Sequence, residues 1–177
     1  MPSHKDRLYI CLFARGGAPK MPGLEDTYHW ALMVGPKIET EGKRGTRHHA
    51  KETITANGVQ WIYEKKDVSL APTSMQLVRV MVGKVEDKHR LESVLRRVPI
   101  RAGTLGWNCV GWVQEALQEL ERDGKALGTS VTAWQSVRDT AMWYCGHKMS
   151  EGRFTAEKYN PQKCPTYDII EGKETVE

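Results

Sequence analysis

The order of apolar and polar positions divides the chain into a strand-rich first half and a helix-rich second half. Leu8, Ile10 and Leu12 alternate with Tyr9, Cys11 and Phe13, and both sets are apolar. A strand apolar on both faces belongs in the middle of a sheet. Tyr28 to Val34 predicts a second strand, ended by Gly35-Pro36. Thr46 to Thr55 predicts a third, Trp61 to Tyr63 a short fourth, and the β-rich run Met75 to Val85 a fifth. The period then changes. Leu91, Val94, Leu95 and Val98 share one helical face over Asp87 to Val98, and Pro99 stops that helix. Asn108 to Arg122 sets Val110, Val113, Leu117 and Leu120 in a stripe, with Gly124 beyond its end. Ser130 to Tyr144, carrying Trp134, Val137 and Ala141, predicts a third helix.

Strands first and helices second, with little alternation, predict an α+β fold: an antiparallel sheet of about five strands packed against about three helices. Residues 1–149 are expected to form a single domain, and the polar, turn-rich residues 150–177 a partly irregular C-terminal tail. The segment Gly16-Gly17-Ala18-Pro19-Lys20-Met21-Pro22-Gly23 breaks the first two strands apart, as a plain connector or a mobile lid.

Composition narrows the function classes. The chain has 177 residues and a net charge of +4, spread along its length. Its densest basic run, Lys43 to His49, reads as a solvated turn entering a strand, and nucleic acid is not an expected partner. The start of the chain is polar, without a secretory pattern, and no run of apolar residues is long enough for a membrane span. Four cysteines, Cys11, Cys109, Cys145 and Cys164, form no Cys-x-x-Cys pair. Free thiols in a reducing, cytoplasmic compartment are therefore expected, with no membrane anchor. No phosphate-binding glycine loop or metal-ligand spacing is visible, so no cofactor and no metal are expected.

Cys109 falls at the predicted start of a helix. Unpaired N–H groups there favour an anion, either a thiolate or the oxyanion of a tetrahedral intermediate. Asn108 suits the N-cap. The alternative is a small buried hydrophobe continuing the stripe through Val113 and Leu117. A thiol nucleophile needs a base. His4, His89 and His147 read as surface residues. His29 lies in the apolar strand Tyr28-His29-Trp30-Ala31-Leu32-Met33-Val34, where an imidazole needs a polar partner, structural or catalytic. His48 and His49 are adjacent, and on a strand only one of them can face a given site.

His29-Trp30-Ala31-Leu32-Met33-Val34-Gly35, the pair His48-His49, and Asn108-Cys109-x-x-Trp112-Val113 together resemble the permuted papain-like superfamily. That group includes the lecithin–retinol acyltransferases, the H-rev107-type phospholipase/acyltransferases and the NlpC/P60 peptidases. The resemblance implies an NlpC/P60-type fold with Cys109 as nucleophile, His29 as base and His49, or else His48, as the group that orients His29. It implies a hydrolase or acyltransferase working through a thioester on a small-molecule acyl or peptide substrate. Trp30, Trp107, Asn108 and Trp112 are expected to line the substrate site. A peptidase or isopeptidase of the same fold, and a binding domain that kept the fold without catalysis, are the alternatives. Val110 and Gly111 replace the acidic residue and histidine that follow the cysteine in the acyltransferases, which separates this chain from their lipid specificity.

Overall fold

The computed structural model describes residues 5–38 and 43–177; His4 lies outside them. The chain runs β1 (Arg7–Ala14), β2 (Tyr28–Gly35), β3 (Arg44–Thr55), β4 (Gly58–Ser69), β5 (Gln76–Val85), α1 (Lys88–Arg97), α2 (Cys109–Asp123), β6 (Leu127–Ser130), α3 (Trp134–Ser150), β7 (Thr166–Asp168) and β8 (Lys173–Val176). All eight strands join one sheet, ordered β4-β3-β2-β1-β5-β7-β8, with β6 also pairing β5.

This corrects the expected five-stranded antiparallel sheet and, with it, the NlpC/P60-type architecture assigned to the chain. The sheet is mixed, because β7 runs parallel to β5 through Arg79↔Thr166 and Met81↔Asp168. The three additional strands span only three or four residues each. Segments that short hold no readable alternation, and partners already in place decide that they become strands. Within the expected tail, residues 151–165 run through turns. Residues 150–177 finish α3 and supply β7 and β8, and Cys164 within them has no exposed surface. β4 is also longer than expected, twelve residues rather than three. Its exposed polar positions hide the strand from a hydrophobic reading, and its full-length pairing with β3 reveals it.

β1 lies between β2 and β5. Leu8, Ile10 and Leu12 point to the helices, alongside Trp30, Leu32, Val34, Val78, Val80 and Val82. From the other side Leu91, Val94, Leu95, Val113, Leu117, Leu120 and Val137 complete this main core. Tyr9, Cys11, Phe13, Ala31, Met33 and Met81 point the opposite way into a smaller cluster closed by Leu70. Two open cavities, about 990 and 330 Å³, lie over that second face, and neither is lined by Cys109 or His29.

Two caps fix the helices that matter for the site. Asp87 accepts a hydrogen bond from the Arg90 N–H at the start of α1, and Asn108 accepts one from the Val110 N–H at the start of α2. Gly124 ends α2 in the left-handed region, φ 68°, where a Cβ would be strained. Among the described residues no helix is long and apolar enough to cross a membrane.

Candidate active site

The site forms where β2 and β3 part. Their ladder pairs Val34↔Thr46, Met33↔Arg47 and Leu32↔His48, and goes no further. β3 nevertheless continues along β4 as far as Thr55↔Gly58. The first half of β2 is therefore left without a β3 neighbour, and the N-terminus of α2 meets it there. The Trp30 N–H faces the Cys109 thiol closely enough to oppose the rise of its pKa, so the sulfur lies against the backbone one residue from His29.

Strand alternation sorts the histidines. His48 pairs across the strands with Leu32 and so shares the helix-side face. It has no exposed surface, stacks on Tyr63, and its Nδ1 lies 2.7 Å from the Tyr63 hydroxyl. Tyr63 stacks in turn on Trp112. His49 turns to the opposite face, where His29 also lies. His29 Nε2 and His49 Nδ1 are 2.7 Å apart, and the rings meet edge-on. On its far side His49 Nε2 lies 3.0 Å from Glu64 Oε1. Lys51 grips the other Glu64 oxygen at 2.8 Å, and Arg47 approaches at 3.8 Å. Arg47 also lies over the Phe13 ring, which packs beside His29.

Electrostatics keep the site neutral at its centre. Burial drives His29 down to about 3, with the neighbouring His49, Arg47 and Arg15 adding to the effect. Burial lowers His49 as well, against the pull of the Glu64 hydrogen bond. Burial works to raise Glu64, but Lys51 and His49 outweigh it and bring the carboxyl to about 2. The Cys109 thiol is raised by burial. The Trp30 N–H, the Arg15 charge and the N–H groups of Val110 and Cys109 oppose that rise without overcoming it. At rest Cys109 is thus a thiol and His29 a neutral imidazole. Among the described residues no hydrogen bond joins Cys109 to His29. Catalytic hydrogen bonds are often loose until substrate arrives.

The remaining expected site residues separate. Trp30 and Trp112, expected to line the substrate site, are wholly buried, as Cys109 is. Trp30 donates Nε1–H to the Glu25 carbonyl and packs on Trp134. Trp107 is half-buried, edge-on to Trp61, and covers Gly111 so closely that a Cβ there would sit 2.9 Å from its ring. That contact leaves no room for a side chain at Gly111. Asn108 caps α2 and donates to the Met21 sulfur at 3.6 Å.

Met21 belongs to the glycine-rich segment before β2, so this segment lies against the cap of α2. Asp26 holds it by accepting from the Lys20 and Met21 N–H groups, and Arg138 ties Gly23 and Glu25 to α3. His89 and His147 are exposed.

Sequence reasoning missed Glu64, Lys51 and Arg15. Asn57-Gly58 marks a turn in the sequence, but a two-residue turn read on that dipeptide would set Lys66 opposite His49. The turn falls on Ala56-Asn57 and pairs Thr55 with Gly58, and only that register puts Glu64 opposite His49. Among the described residues no group of three His, Cys, Asp or Glu side chains is placed to hold a metal ion.

Residues 5–176 match the family of unknown function DUF6914. No curated protein and no solved structure shows significant similarity to the chain. The family match spans nearly all of the described residues, and the protein belongs to the DUF6914 family.

Proposed function

We propose that this protein is a cysteine-dependent acyl hydrolase or acyltransferase. One observation carries the reading: the helix-start thiol of Cys109 rests on the backbone beside His29, and His29 is hydrogen-bonded to His49 at 2.7 Å. A neutral ring nitrogen of His29 takes the thiol proton as the sulfur attacks a carbonyl carbon. The oxyanion forms against the N–H groups at the start of α2. His29 returns its proton to the departing amine or alcohol, leaving a thioester on Cys109. Water, or an amine or alcohol acceptor, loses a proton to His29 and displaces the acyl group, restoring the thiol. The order of histidines and cysteine, and their short motifs, support a site like that of the permuted papain-like enzymes.

Cys109 has no exposed surface. Substrate entry therefore requires movement around the start of α2, where the Met21 segment lies against Asn108. The substrates are small acyl esters, thioesters or peptide amides. Four free cysteines support a reducing, cytoplasmic setting.

A second reading is favoured by the same burial and by the raised thiol: a binding domain in which Cys109 is a core residue and the histidines are structural. Labelling with electrophilic acyl and peptidyl probes, followed by mapping of the modified residue, separates the two. Catalysis requires rapid, selective modification of Cys109, lost in His29→Ala while Cys11, Cys145 and Cys164 stay unreactive in both proteins. Labelling of Cys109 no faster than Cys11 would overturn the enzymatic reading.

A further inference from the structure

We propose that Glu64 is a positioning residue that selects the tautomer of both site histidines and thereby makes Nδ1 of His29 the basic nitrogen. The inference rests on the catalytic reading above only for its consequence; the tautomers follow from the hydrogen bonds between two neutral rings and an ionised carboxylate.

An ionised carboxylate only accepts hydrogen bonds. Lys51 at 2.8 Å and Arg47 at 3.8 Å keep Glu64 ionised. The His49 nitrogen facing it at 3.0 Å, Nε2, must therefore carry a proton. A neutral His49 then has its lone pair on Nδ1. His29 Nε2 lies 2.7 Å from that lone pair and must donate to it. A neutral His29 is left with its lone pair on Nδ1, the nitrogen not engaged by His49.

Each link excludes one of two tautomers, so a carboxylate two residues away in the chain of contacts decides which nitrogen of His29 can take a proton. The charges facing the two rings are Arg15 from the loop after β1, Arg47 and Lys51 from β3, and Glu64 from β4. The three cations all oppose an imidazolium. Glu64 supplies the negative charge that faces His49, and it holds the proton on Nε2.

Long-range ¹H–¹⁵N spectra of the imidazoles report which ring nitrogen carries the proton. In the unmodified protein at neutral pH, His49 should be protonated at Nε2 and His29 at Nε2, with both Nδ1 atoms bare. A His29 protonated at Nδ1 would overturn the proposal, and this readout needs no variant. In Glu64→Gln the side chain can donate or accept, and the tautomers should become mixed. Iodoacetamide alkylation of Cys109 should then slow by about tenfold, the factor set by losing one hydrogen bond to a charged group. Its pH profile should also change shape, which a merely structural loss would not do. Unchanged tautomers and an unchanged profile in Glu64→Gln would refute the role of Glu64. Correct tautomers with an unreactive Cys109 in the unmodified protein would overturn the catalytic reading instead, leaving the tautomer assignment standing.

Discussion

Acidification from pH 6.5 to pH 4.5 should destabilise this protein mainly through its buried histidines, ahead of most of the contribution of its carboxylates. The unfolded chain binds a proton on each histidine near 6.5, whereas in the folded protein burial holds His48 at about 4 and His29 at about 3. The depressed folded values mean that stability is fully present above 6.5 and is lost as pH falls towards the folded values. The lowered carboxyls, Glu64, Glu92, Asp26 and Asp123 among them, act in the same direction but mainly near and below their unfolded values of 4.5 and 3.8. The window between 6.5 and 4.5 therefore belongs mainly to the histidines.

One proton taken up on unfolding is worth about 1.4 kcal/mol per pH unit. Integrated over the two units, His48 and His29 each account for about 2.2 kcal/mol, or about 4.5 kcal/mol together, with His49 adding in the same sense. Domains are stable by only about 5–15 kcal/mol, so the effect is large. Urea unfolding followed by circular dichroism at several pH values measures it directly. His48 is the cleanest probe, since it has no exposed surface and its Nε2 has no hydrogen-bond partner. His48→Gln cannot titrate and should flatten the slope by about 1.4 kcal/mol per pH unit. A urea midpoint that does not move across this window, or a slope unaltered by His48→Gln, would refute the reasoning.

Other outcomes follow from packing and capping. Leu117 is wholly buried between α2 and the sheet. Leu117→Ala should cost about 2–5 kcal/mol in urea unfolding, and a loss under about 1 kcal/mol would mean that the site collapses around the cavity. Asn108→Ala removes the α2 cap and should cost about 1 kcal/mol while slowing Cys109 alkylation, because the helix start frays; an unchanged rate would separate the cap from the thiol. Ending the chain before β7 strips its parallel partner from β5 and leaves buried Lys148 without Glu174, so thermal unfolding should move to markedly lower temperature. An unaltered melting curve would show those strands to be dispensable.

Much of the fold was written locally. The doubled apolar alternation of β1, the stripes of α1 and α2, and the punctuation by Pro99 and Gly124 are patterns within single elements, and they appear in place. The start of α3 was set too early because Ser130 ends β6, a strand of four residues. A segment that short borrows its conformation from β5, as β7 and β8 do from theirs, so its own residues do not announce it. Trp30 and Trp112 show the same limit for side chains. Tryptophans near a candidate nucleophile suit a binding surface or a core equally well, and packing against Trp134 and Tyr63 put these two in the core.

Alternation alone determined that His48 and His49 face opposite ways, since neighbours on a strand must. Tertiary structure decided that His49 is the one that meets His29, because the β2–β3 pairing puts His48 on the face of Leu32, towards the helices. The sequence also determined that a cysteine and its capping asparagine begin a helix. That the thiol lies against the Trp30 N–H, and that Glu64 stands behind His49, depend on how strands distant in sequence align. The end of one ladder and the register of another are properties of pairs of segments, and no single segment encodes them.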